Sequence, residues 1–139
     1  SFMDLMAMVR EPVCVSHANV YDVHPHRRNL TAEQIRLVAA TGGTVGLTFY
    51  PPFIGTGEIR SQALIPHLEG LLRIGGVDCP ALGSDFDGIE QTPLDLPDVT
   101  GIPGFLQVLA ASGFSPEVIG KVAGANFYRF LAQRFSLEN

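Results

Sequence analysis

The sequence predicts an α/β fold built on a parallel sheet covered on both faces, and three observations carry that prediction. Short, wholly apolar, β-rich runs alternate with longer stretches of helical periodicity. Continuous apolar strands joined by helical crossovers are the mark of parallel sheets buried on both sides. Only 17% of the 139 residues are charged, against 46% hydrophobic, whereas average soluble domains carry about 25% charged residues. Such a chain either buries an unusually large share of itself or covers apolar surface with a partner. It has the opposite balance to a disordered one.

The elements follow in order. In residues 1–10, Phe2, Leu5, Met6 and Val9 share one helical face. Residues 12–17, Pro-Val-Cys-Val-Ser-His, form an apolar strand ending on polar side chains, and a polar loop occupies 18–30. Thr31 and Gln34 make a capping box for a helix bearing Ile35, Leu37, Val38 and Ala39, which Gly42 and Gly43 end. Residues 44–50 are the second strand. Pro51, Pro52, Gly55 and Gly57 then mark a long loop. Ser61 caps a helix whose core face is Leu64, Ile65, Leu68, Leu71 and Leu72, closed by Gly75 and Gly76. Residues 81–85 are the third strand. After an acidic, proline-rich loop to about residue 100 come helices near 103–111 and 116–135. Ser115-Pro116-Glu117 opens the second of these with proline at the first helical position, and Gly124 kinks or splits it. No repeat or linker divides the chain, so residues 1–139 read as one body.

The formal charge of −5 comes from nine Lys and Arg against fourteen Asp and Glu. Nothing makes a basic stripe, so nucleic acid is not an expected partner. Between Arg73 and Lys121 there is no base, while Asp78, Asp85, Asp87, Glu90, Asp95, Asp98 and Glu117 fall there. That stretch reads as a solvated acidic face, or else as a site for a metal ion or an amine. Cys14 and Cys79 read as small buried hydrophobes rather than a disulfide framework. No apolar run approaches the roughly 18 residues of a membrane span. The opening Ser-Phe-Met-Asp-Leu-Met has no signal-peptide pattern, so a cytoplasmic or otherwise soluble chain is expected. Its first residues read as the end of a helix, which hints at a piece of something larger.

In α/β folds, ligands gather at the carboxyl ends of parallel strands. Here those ends are His17, Phe49-Tyr50 and Asp85-Phe86-Asp87. A neutral imidazole at His17 suits zinc; the plainer reading is a histidine capping a strand end. His24 and His26 form an H-x-H pair, but Pro25 and the adjacent Arg27 and Arg28 put it in a loop and in repulsive company. Arg28 suits bidentate capture of a carboxylate, or is simply solvated. Asp85 and Asp87 could hold a cation, or one could work as a general acid or base, or the two could shape a turn. His67, among Leu64, Leu68 and Leu71, reads as structural.

These residues in sequence carry a resemblance. Pro-Val-Cys-Val-Ser-His17, His26-Arg-Arg-Asn-Leu-Thr31, Gly-Leu-Thr-Phe-Tyr50, Leu-Gly-Ser-Asp-Phe-Asp-Gly88 and Val-Ala-Gly-Ala-Asn-Phe127 together resemble the C-terminal part of the membrane (renal) dipeptidase family of the amidohydrolase superfamily. The resemblance runs essentially end to end. It implies a TIM-type (β/α)₈ barrel, of which this chain would supply about three βα units, strands six to eight. It implies hydrolysis of dipeptides at a two-zinc centre, with His17 a zinc ligand, Arg28 holding the free α-carboxylate, and Asp85 contacting substrate and assisting proton transfer. It gives no metal role to Asp87 or to the H-x-H pair. The other ligands of that centre would lie upstream of Ser1, so this chain is expected to be a single partial domain, without a full active site.

Two other classes of protein also suit parts of the sequence. One is a non-catalytic, truncated α/β module that associates with itself or with a missing N-terminal part. The other is a phosphotransferase with an aspartate nucleophile and magnesium, which a strand followed by Asp-x-Asp-Gly also suits. Such sites need a lysine and acids on later strands, and here Lys121 falls in a helical run. A barrel of about 250 residues cut to this length leaves open strand edges, which predicts a homo-oligomer.

Overall fold

The computed structural model describes residues 1–135. Helix α1 (Phe2–Met8) starts at Ser1, whose side chain accepts from the Asp4 amide. Phe2 and Met6 pack against the core, as the sequence pattern requires, while Leu5 is exposed. Strand β1 (Cys14–Val15) follows, then α2 (Ala32–Ala40), with the capping box of Thr31 and Gln34 in place. Strand β2 (Thr44–Leu47) leads into α3 (Pro51–Ile54), a short helix where the sequence suggested only loop. The reason is that proline is disfavoured inside helices but well placed in the first turn.

Helix α4 (Ile65–Gly75) returns the chain to β3 (Pro80–Leu82). The expected Ser61 cap is not formed. Ser61 instead opens a 3₁₀ turn, and both its amide and its hydroxyl donate to the Asp95 carboxylate at 2.7 Å. Helices α5 (Ile102–Ala111), α6 (Pro116–Gly120) and α7 (Asn126–Phe135) complete the described residues. Between α6 and α7 lies a π-helical turn over Lys121–Ala125, so the break expected at Gly124 is a wide turn rather than a stop.

The sheet has three strands, all parallel, in the order β1-β2-β3. Cys14 lies opposite Thr44, and Gly46 opposite Ala81. Alternation sends Val45, Leu47 and Phe49 to one side, where they are wholly buried in one core with Ile35 and Val38 of α2 and Leu68 and Leu71 of α4. The other side, with Cys14, Thr44, Gly46 and Ala81, lines a narrow cavity of about 100 Å³ together with Phe127 of α7. Cys79 is buried as expected, and burial pushes its thiol up to about 11. Cys14 is only half-buried, because β1 is an edge strand; the two thiols are free. No helix among the described residues is long and apolar enough to cross a membrane.

At their carboxyl ends the strands converge closely. A β-carbon on Gly46 would lie 2.1 Å from the Ser16 carbonyl oxygen, and one on Gly83 would lie 1.9 Å from the same atom. Glycine is what lets backbone approach backbone here.

Candidate functional site

Just beyond β1, the His17 ring is held on one side by Ser16, whose hydroxyl lies 2.8 Å from Nδ1. If Nδ1–H donates to that hydroxyl, Nε2 keeps its lone pair for a cation. If the hydroxyl donates, Nε2–H faces Asp85. The Nε2 atom lies 3.8 Å from Asp85 Oδ2, and each side chain is about one-third exposed (34% and 32%). Two strand ends far apart in sequence thus bring a histidine and a carboxylate to the same place.

Asp85 reaches that position through an unusual backbone. Its φ of 64° and ψ of 27° make it the one non-glycine residue with positive φ among the described residues. Aspartate tolerates the left-handed region better than most residues. The bend takes the chain from β3 into the turn Phe86–Gly88. Gly88 leaves room for the result, since a β-carbon there would sit 2.4 Å from Asp85 Oδ1.

Arg28 is exposed and lines, with His17, Ser16, Phe2 and Leu30, an open cavity of about 320 Å³. A second cavity, of about 280 Å³, is lined by His17 and Asp85. A third, of about 450 Å³, is lined by Asp85, Asp87 and Asp98. His17 and Asp85 each border two of these, so Arg28, His17, Asp85 and Asp87 stand in a row along the strand ends. The His24–His26 pair is used differently. His26 Nδ1 accepts from the Arg28 amide at 3.1 Å, and its ring lies 4.5 Å from that of Phe53. His67 is structural, as read from the sequence. It is wholly buried, accepts from the Val20 amide at Nδ1 (3.1 Å) and donates from Nε2 to the Ile54 carbonyl (2.9 Å).

Three further residues enter here that the sequence did not single out for a role. Tyr50, three residues past β2 and just before α3, donates its hydroxyl to Glu90 at 2.9 Å, and that bond raises its pKa. Asn19 and Asn29 are buried polar residues inside the loop that carries Arg28. The sequence signal for Asn19 is position, two residues after His17, and for Asn29 its place beside Arg28 in the segment from His26 to Thr31.

Zinc binding needs several such donors converging. Among the described residues no three His, Cys, Asp or Glu side chains come together to hold a metal ion. His17 fits the part of one ligand with a hydrogen-bonded partner behind it, but the described residues do not by themselves make a metal centre.

Parallel strands with a histidine and an aspartate just past their carboxyl ends, and an arginine in the loop that follows the first strand, define an α/β fold with its candidate site at one end of the sheet. The chain belongs to the membrane dipeptidase family (peptidase family M19), whose model matches residues 1–138. An uncharacterized protein in the pqqA 5′ region of Klebsiella pneumoniae is 35% identical over 136 residues, which is 94% of this chain and 50% of that protein. The structure of dipeptidase AC, an M19 metallopeptidase, superposes with a TM-score of 0.90 at 31% identity, over 95% of this chain and 40% of that one. A Rhodobacter sphaeroides metallopeptidase, liganded with a phosphinate mimic of the dipeptide L-Ala-D-Ala, matches with a TM-score of 0.90 at 31% identity, over 95% of this chain and 39% of its own. The chain therefore spans half or less of the length of these relatives. Its three-stranded parallel α/β arrangement is that of a part of the dipeptidase barrel.

Proposed function

We propose that this chain is part of a zinc-dependent dipeptidase and contributes three residues to its site. His17 is one metal ligand, Arg28 holds the free α-carboxylate of the dipeptide, and Asp85 contacts substrate and moves a proton. The observation that carries this reading is the approach of His17 Nε2 to Asp85 Oδ2 at 3.8 Å, with Arg28 bordering the same cavity as His17. The dipeptide mimic held by the Rhodobacter relative supports the substrate class.

The chemistry follows from the side chains. A guanidinium offers a planar fork of donors that matches a carboxylate, and Arg28 forms no ion pair among the described residues. Holding the substrate by its terminal carboxylate restricts hydrolysis to the peptide bond one residue away. The Asp85 carboxylate, partly open to the cleft, can take a proton from attacking water and return it to the leaving amine. Zinc, when bound, polarises both that water and the scissile carbonyl. One histidine cannot hold two ions, so in this reading the remaining ligands come from elsewhere in the barrel and the isolated 139-residue chain is inactive.

The test uses the intact gene product with zinc and a dipeptide. Asp85→Ala is expected to lower kcat by roughly 10²-fold or more, the usual scale for a positioned acid–base group. Unimpaired turnover would remove Asp85 from the mechanism.

A second reading has one observation in its favour, the lack of a three-ligand group among the described residues. On that view the chain is a non-catalytic module that associates with itself or with another part of the barrel. Zinc content of the intact gene product separates the two, because bound zinc that is lost in a folded His17→Ala variant would end the non-catalytic view, and zinc content unchanged by that variant would end the first.

A further inference from the structure

The loop that carries Arg28 is polar in sequence yet fastened like a strand. Asn29, next to Arg28, is 4% exposed and uses its whole carboxamide. Its Oδ1 accepts from the Asn19 amide at 3.2 Å, and its Nδ2 donates to the carbonyls of His24 at 2.9 Å and Phe53 at 2.8 Å. Asn19, two residues after His17 and fully buried, repeats the pattern one step further in. Its Oδ1 accepts from the Thr48 amide at 3.0 Å and its Nδ2 donates to the Thr48 carbonyl at 3.1 Å.

A carboxamide has the donor and acceptor of a peptide group, so two of them in series extend the pairing of β2 sideways to Arg28. Burying amides is costly unless every polar atom is partnered, and here the bonds run to backbone in three site-bearing segments. Those segments hold His17, Arg28 and Tyr50. Surface loops ordinarily lack such ties.

We infer that Asn19 and Asn29 are positioning residues that fix the backbone at Arg28 relative to His17, and so set the distance from scissile carbonyl to carboxylate that the site accepts. An arginine on a loose loop could follow a longer substrate, whereas on a fastened loop its reach is that of its side chain alone. The inference deepens the proposed function and rests on Arg28 being the carboxylate grip.

The experiment compares three substrates on the zinc-loaded intact gene product: alanyl-alanine, its C-terminal amide, and alanyl-β-alanine, which places one more methylene before the carboxylate. The wild type is expected to prefer alanyl-alanine over both others in kcat/KM by roughly tenfold or more. Asn29→Ala and the isosteric Asn29→Asp are expected to shrink the preference over alanyl-β-alanine by about tenfold, with KM for alanyl-alanine rising more than kcat falls. A selectivity ratio does not change with the folded fraction, so a merely structural role would leave it alone.

If the wild type hydrolyses the amide as well as the acid, the reading of Arg28 fails. If it discriminates against the amide but accepts alanyl-β-alanine equally, Arg28 stands and the positioning inference is overturned. A folded Asn29 variant that keeps the full wild-type preference overturns it too. Should neither Asn29 variant fold, Asn29→Gln and Asn19→Asp are read by the same ratio: a shrunken preference supports the inference, and a folded variant that keeps the full preference overturns it.

Discussion

His67 has both ring nitrogens committed to backbone, and their partners decide its charge. Nδ1 must accept from the Val20 amide, so the proton sits on Nε2, facing the Ile54 carbonyl. A second proton would set two donors against each other. Burial lowers the pKa of His67, the Ile54 carbonyl partly offsets this, and charge on His24 lowers it further. An unfolded histidine titrates near 6.5, so below that pH the unfolded chain binds more protons than the folded one. Stability is therefore expected to fall as the pH drops below about 6.5, by at most about 1.4 kcal/mol per pH unit from this group. Urea midpoints measured near pH 7.5 and 5.5 check this, with His67→Gln expected to flatten the dependence; an unchanged slope in that variant would acquit His67. That His17 and Asp85 come to one end of the sheet was legible because they follow apolar strands, and α/β folds gather ligands at such ends. Asn19 and Asn29 were not legible, because an asparagine in a polar loop looks solvated until the fold buries it.

Periodicity marked α2 and α4 correctly because each must turn one apolar face to the sheet, and Ile35, Val38, Leu68 and Leu71 do so. What periodicity missed were features decided by partners distant in sequence. Ser61 looked like a cap, but Asp95 competes for it. The strands are shorter than their apolar runs, since residues at the ends of those runs leave the ladder to form the site. The glycines make the same distinction testable. Gly46 lies in β2 with backbone on top of it, so Gly46→Ala is expected to destabilise by about 1–3 kcal/mol, as overpacking does. Gly104 lies in α5 with nothing within 4 Å of the position its β-carbon would take. Gly104→Ala is expected to stabilise by about 0.5–1 kcal/mol through helix propensity. Thermal or urea unfolding of the two variants reads the opposite signs, and equal effects would mean that the strand ends are not as tight as described.

Across the whole molecule, the shortage of charge has a structural counterpart. β1 and β3 stand at the two edges of the sheet, and Met8, Val99, Tyr128 and Phe135 are each more than 60% exposed. Unpaired strand edges beside apolar surface favour association. The isolated 139-residue chain is expected to sediment as a dimer or larger at tens of micromolar. A monomer there would count against the view that these surfaces normally meet further strands and helices of a barrel.

The π turn at Lys121–Ala125 has a consequence for how the last helix is addressed to the sheet. A π turn holds an extra residue relative to an α-helix, and each residue advances a helix by about 100°. That residue therefore acts as a phase-setter for everything after it. It is what brings Asn126 round to donate to the carbonyls of Val77 at 2.8 Å and Pro80 at 2.9 Å, with Arg129 reaching Asp78 beside it. A chain lacking any single residue of the turn could keep an unbroken helix, yet it would present the wrong side of that helix to β3. Residue count in this turn, as much as residue identity, is what locks α7 beneath the sheet.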